Sequence, residues 1–86
     1  MQELDEELLE PFPIDGLHAP LIKLTLEPDP PSAQVVVGKL AYQYDRSYPI
    51  KGYSAVMPAY LKEQMVAGKL PLILERASRY YVYFAI

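Results

Sequence analysis

The chain is predicted to be a small α+β domain, with five strands and one packed helix in the order βββαββ, preceded by an acidic arm. Three observations predict it. Residues 21–27 alternate apolar and polar side chains with the period of a half-buried strand. Residues 57–67 carry the one strong helical pattern of the body. Charge divides along the chain: residues 1–32 hold eight acids against Lys23 alone, a net of −7, while residues 33–86 hold seven bases against three acids, a net of +4. The split separates an acidic arm and proline-rich connector at 1–20 from a single α+β domain at 21–86.

In the arm, Leu4 and Leu8 stand one helical turn apart with Leu9 beside them, and Glu3, Asp5, Glu6 and Glu7 crowd the start, where a helix dipole favours anions. A helix this short needs the body or a partner under Leu4, Leu8 and Leu9, and otherwise frays. Pro11, Pro13, Gly16 and Pro20 then argue against regular structure over 11–20, with Phe12, Ile14 and Leu17 lying on the body.

The first strand, 21–27, places Ile22, Leu24 and Leu26 on one face, and the proline-rich run 28–32 turns the chain. Residues 34–44, rich in Val and Tyr, form the second strand, in which Gly38 suggests a bulge. A turn at 46–49 leads to a third strand at 50–56, weakened by Gly52. The helix follows, with Pro58 in its first turn, Met57, Leu61 and Met65 on one stripe, and Gly68 at its stop. Strands at 70–75 and 79–86 complete the body. Because Ala77-Ser78 lacks the Gly or Asn that two-residue hairpin loops favour, a three-residue loop at 76–78 is expected. That register sets Leu74 opposite Tyr80 and Leu72 opposite Val82, and leaves Ile73, Arg79, Tyr81 and Tyr83 facing outward. The order matches a five-stranded OB-like barrel, and equally a mostly antiparallel open sheet with the helix on one face. An offset of thirty residues aligns 35–56 with 65–86 at seven identical positions, including Gly38 with Gly68, which raises an internal duplication.

Composition bounds function. At 86 residues the chain supports one domain, stable by roughly 4 to 13 kcal/mol, so a partner or dimer contact weighs heavily. It has no Cys, hence no disulfide or thiolate chemistry. The acidic residues 1–10 do not read as a signal peptide, and no apolar run approaches the ~20 residues of a membrane span, so a cytoplasmic location without membrane contact is expected. His18 stands alone in a proline-rich loop, without a second His or a nucleophile motif. The two Gly-Lys-Leu triplets lack the rest of a phosphate loop. Neither Asp5 to Glu7 nor Glu27 and Asp29 has the spacing of a proton-sharing dyad or a calcium loop. The expectation is a protein without catalytic residues, metal or cofactor.

Eight tyrosines all lie in the basic half. Tyr and Arg are favoured anchors of protein interfaces, which predicts a protein-interaction module or accessory subunit, a homodimer, with Ile73, Arg79, Tyr81 and Tyr83 as contact face. The acidic arm would dock on a basic surface of its own or a neighbouring chain. The alternative is a single-stranded RNA or DNA binder, with Tyr53, Tyr81 and Tyr83 stacking bases and Lys51, Arg76 and Arg79 on phosphates. The net charge of −3 favours the first.

Overall fold

Three hairpins closed by two-residue turns build most of the structure. The computed structural model describes residues 2–24, 32–51 and 56–86. In the first hairpin, β2 (Glu10–Ile14) and β3 (Leu17–Lys23) meet across Asp15-Gly16, both with positive φ, at 44° and 87°. Asp-Gly is a favoured pair for that geometry, because Gly meets no steric penalty there and Asp tolerates it. In the second, β4 (Gln34–Val37) and β5 (Leu40–Pro49) turn at Gly38-Lys39. Gly38 has φ +61°, and a Cβ there would lie 2.6 Å from the Glu6 carboxylate. In the third, β6 (Pro71–Arg76) and β7 (Arg79–Ala85) turn at Ala77-Ser78, with Ala77 at φ +53°.

A short strand β1 (Gln2–Leu4) and the helix α1 (Val56–Val66) complete the described elements. The strand order is β1-β4-β5-β7-β6-β3-β2, with β1 parallel to β4, β3 parallel to β6, and the other neighbours antiparallel. The described residues thus form an α+β domain with one helix, as expected, but their strongly curled mixed half-barrel has seven strands rather than five.

The curl follows from chain length. Consecutive strands β1 and β2 lie at opposite edges of the sheet. From Leu4 to Glu10 the chain reaches at most about 20 Å even when fully extended. Seven strands laid flat would separate their edges by about 29 Å. The connector also contains a 3₁₀ turn, Glu6–Leu8, capped by the Asp5 carboxylate accepting from the Glu7 amide at 2.9 Å, which shortens its reach further. The sheet must therefore bend its edges toward each other.

Both faces of the sheet are covered. On one, α1 seats Met57 and Leu61 over Ile14, Leu21, Tyr48, Ile73 and Val82. On the other, Ile22, Val35, Val37, Tyr42, Leu72, Leu74 and Tyr83 pack together. Tyr42 and Tyr48, six residues apart, would share a face in a regular strand. They lie on opposite faces because β5 carries a bulge between Tyr44 and Arg46, which reverses the alternation.

Several expectations are corrected. The arm is no helix but a strand and a single 3₁₀ turn. Residues 11–20 are regular, because the prolines fall where a hairpin accepts them. In a hairpin with a two-residue turn the flanking pair Ile14 and Leu17 is hydrogen-bonded and pairs alternate thereafter, so Pro13 and Pro11 occupy positions whose N–H would point away from β3. Gly38 makes a turn, not a bulge, and β5 runs straight through the expected turn at 46–49. Ile50 and Lys51 are bends and Val56 already belongs to α1, while residues 52–55 of the expected third strand, like the end of the first strand and its turn at 25–31, lie outside the described residues. The helix itself runs one residue earlier than expected. In the proposed duplication Gly38 turns a hairpin where Gly68 follows a helix, so the aligned segments share a left-handed glycine and not a fold.

The 76–78 loop is also corrected. Arg76 pairs with Arg79, Leu74 with Tyr81, Ile73 with Val82 and Leu72 with Tyr83. Burial of both faces compensates the strain that Ala77 takes up in the tighter turn. One Lys62–Asp15 ion pair, at 2.7 Å, ties α1 to the first hairpin, and the hydrogen bond and charge of Lys62 hold the Asp15 carboxyl below its ordinary pKa.

Candidate functional site

The change of register moves the expected contact residues. Ile73 and Tyr83 are completely buried, one beneath α1 and the other in the second cluster, so neither belongs to an open face. The Tyr83 hydroxyl donates to the Ser32 carbonyl at 2.6 Å. Tyr81 is half-buried against the same cluster, with its ring 6.4 Å from that of Tyr44. Arg79 is half-buried and donates through Nε and Nη2 to the Ser47 hydroxyl at 3.3 and 2.9 Å.

The expected nucleic-acid contacts separate in the same way. Arg76 and Arg79 face each other across the last turn, and Lys51 lies near them because the Ile50 amide donates to the Ser78 carbonyl at 2.9 Å. Tyr53 lies outside the described residues. Of the arm leucines, Leu4 packs into the second cluster, whereas Leu8 and Leu9 are 51% and 38% exposed.

The opposite end of the sheet holds a surface that sequence reasoning missed. There β5 begins, β6 begins and β7 ends, and the strands carry apolar residues past the last layer of core. Leu40, Leu70 and Ile86 are exposed by 48, 58 and 75%. Backbone bonds join them: the Ala85 amide donates to the Leu70 carbonyl and the Ile86 amide to the Ala41 carbonyl, at 2.9 and 3.0 Å. A groove of about 380 Å³ runs between Leu40 and Leu70, lined also by Tyr42, Met65, Lys69 and Pro71. Lys69 holds its ammonium 5.5 Å from the Phe84 ring centre, and exposed Lys39 precedes Leu40 in the chain. Neither lysine has an ion-pair partner among the described residues. The signal in the sequence was the repeated Gly-Lys-Leu, whose two copies bring Leu40, Lys69 and Leu70 to one groove.

Beside it the bulge in β5 builds a polar cluster. Asp45 Oδ2 accepts from the Tyr60 hydroxyl at 2.6 Å and from Arg46 Nε at 2.8 Å, and the Arg46 guanidinium lies 4.0 Å from the Tyr60 ring centre. Burial, reinforced by the hydrogen bond and charge of Asp45, pushes the Tyr60 hydroxyl pKa up to about 12. The groups neutralise one another and fasten α1 to β5, which is a structural task.

The chain matches no protein-family model, and no curated protein or solved structure is significantly similar to it. Among the described residues, no helix is long and apolar enough to cross a membrane.

Proposed function

We propose that this chain is a non-enzymatic protein-interaction module, or accessory subunit, that associates with itself through the apolar end of its sheet. The observation that carries this reading is the joint exposure of Leu40 and Leu70 on one groove, with exposed Ile86 joined to the adjoining strand ends by backbone hydrogen bonds. Contiguous apolar surface exposed on a small domain commonly marks a protein contact, since covering it releases the same free energy that drives folding. Lys69 in the lining and exposed Lys39 next to Leu40, neither in an ion pair among the described residues, add charge selectivity.

The test is solution mass by light scattering for the wild type and for Leu40→Ser/Leu70→Ser. Both residues are exposed, so the fold should survive. A wild-type dimer that becomes monomeric in the double variant supports the reading. A monomeric wild type, or a dimer that the variant leaves intact, overturns it.

The basic end formed by Lys51, Arg76 and Arg79 favours a second reading as a binder of single-stranded nucleic acid. Cations there would engage phosphates, although Tyr83 in the core removes a stacking ring. Adding a random oligonucleotide to the same scattering series tests it. Binding at low salt that is lost at high salt, and lost in Arg79→Ser/Lys51→Ser, supports this reading, and no binding at low salt rejects it.

A further inference from the structure

Resting on the reading of the apolar end as a self-association surface, we propose that what fills the groove is the acidic connector of a second copy, residues 7–10. Strand pairing between sheet edges is poorly available to this fold. At the β2 edge, Pro11 and Pro13 occupy both positions whose N–H would face outward, so between Glu10 and Ile14 the edge offers acceptors and no donors. At the other edge β1 is only three residues long. Among the described residues, this leaves side-chain contact as the more open route between copies.

The connector is built as the complement of the groove. It presents Leu8 and Leu9, both exposed, between the exposed carboxylates of Glu7 and Glu10. The groove presents apolar walls with Lys69 in its lining, and exposed Lys39 precedes Leu40 of the opposite wall. Two leucines flanked by acids thus face two leucines flanked by lysines. The connector is also ordered before it binds: the amides of Leu8 and Leu9 donate to the carbonyls of Asp5 and Glu6 at 3.0 and 3.2 Å. A segment already in shape gives up little conformational freedom on docking.

In its own chain it lies outside the groove, whose lining includes none of residues 5–10, and β1 and β2 hold it there at both ends. It does begin beside that groove, since Glu6 lies against Gly38, the residue before Lys39. Connector and groove are therefore neighbours on one surface. A two-fold axis between them would seat each connector in the partner's groove and close the assembly as a dimer, without open-ended growth.

Sedimentation velocity on the full chain at about 10 to 100 µM tests this, with circular dichroism checking that each variant folds. Glu7→Lys/Glu10→Lys and Lys39→Glu/Lys69→Glu should each weaken the dimer by about tenfold or more at low salt, since like charges would then meet. Mixed in equal amounts, the two variants should form a heterodimer, because both contacts again join opposite charges. The chain carrying all four changes should recover the homodimer. Leu8→Ser/Leu9→Ser should dissociate it. If Leu40→Ser/Leu70→Ser breaks the dimer while the reversals leave it intact, or the mixture fails to recover it, the connector is not the occupant and the proposed contact surface stands. If Leu40→Ser/Leu70→Ser also leaves the mass unchanged, surface and occupant fall together.

Discussion

Replacing Tyr83 with Ser separates the observed register from the one expected with a three-residue loop. In that alternative Tyr83 faces solvent, and its removal should cost well under 1 kcal/mol, as for most surface changes. In the structure its side chain is fully buried among Ile22, Val35, Leu72 and Leu74, and its hydroxyl donates to the Ser32 carbonyl. Removing a buried aromatic ring costs about 3 to 5 kcal/mol through lost burial and the cavity left behind. The lost hydrogen bond adds about 1 kcal/mol. Against a total stability of about 4 to 13 kcal/mol, Tyr83→Ser should leave the chain marginal or unfolded. Tyr83→Phe, which keeps the ring, should lose only about 1 to 2 kcal/mol. Half-buried Tyr81→Ser should fall between the two. Urea unfolding followed by circular dichroism measures all three. At a slope of about 1 to 1.5 kcal/mol per molar, the Tyr83→Ser midpoint should drop by about 3 M or more. A midpoint within about 0.5 M of wild type would refute the register and the second buried cluster together.

Further outcomes follow from other residues. Gly38→Ala should destabilise by about 1 to 2 kcal/mol in the same urea assay, because φ is positive and the new methyl would displace the Glu6 carboxylate. Tyr60 makes stability fall in alkali. Its folded pKa of about 12 exceeds the ordinary 10.0, so the folded chain keeps the proton that the unfolded chain releases. The contribution is complete below pH 10 and is lost as pH rises from 10 to 12, by about 1 to 2 kcal/mol after allowance for solvent screening. Tyr60→Phe should flatten that decline, leaving a smaller one from Tyr42 and Tyr80, whose hydroxyls burial also pushes up. Pro11→Thr/Pro13→Thr restores two outward amides to the β2 edge. It should keep the fold and raise concentration-dependent light scattering, and unchanged scattering would refute the protective role of the prolines.

The elements legible in the sequence were those whose local signals agree. α1 has a proline in its first turn, a stripe of Met57, Leu61 and Met65, and a glycine stop, and nothing competes with them. The first hairpin was illegible because two signals conflict. Asp15-Gly16 asks for a tight turn, whereas Pro11, Pro13 and Pro20 argue locally against the strands on either side. The conflict disappears once the prolines are counted in twos from the turn, since they then fall only on pairs that exchange no hydrogen bonds. The contact face was misread for another reason. Alternation implies one exposed face per strand, yet Leu21-Ile22 and Leu72-Ile73-Leu74 are unbroken apolar runs, the pattern of strands covered on both sides. Leu40 and Leu70 emerge together at one end of the sheet with twenty-nine residues of chain between them, a proximity that no local pattern encodes.

The connector that bends the sheet also acts as a covalent staple. Joined to β2, the three-residue strand β1 is presented to β4 at the high effective concentration of a short tether. A single proteolytic cut at exposed Leu8 or Leu9 would leave every residue in place and abolish that advantage. Among the described residues, β1 would then be held by its three pairings to β4, by Leu4 and by Glu6 against Gly38, and would separate from the body at micromolar concentration. The second cluster would then lose its lid, and the chain would stay intact in mass only until it was diluted.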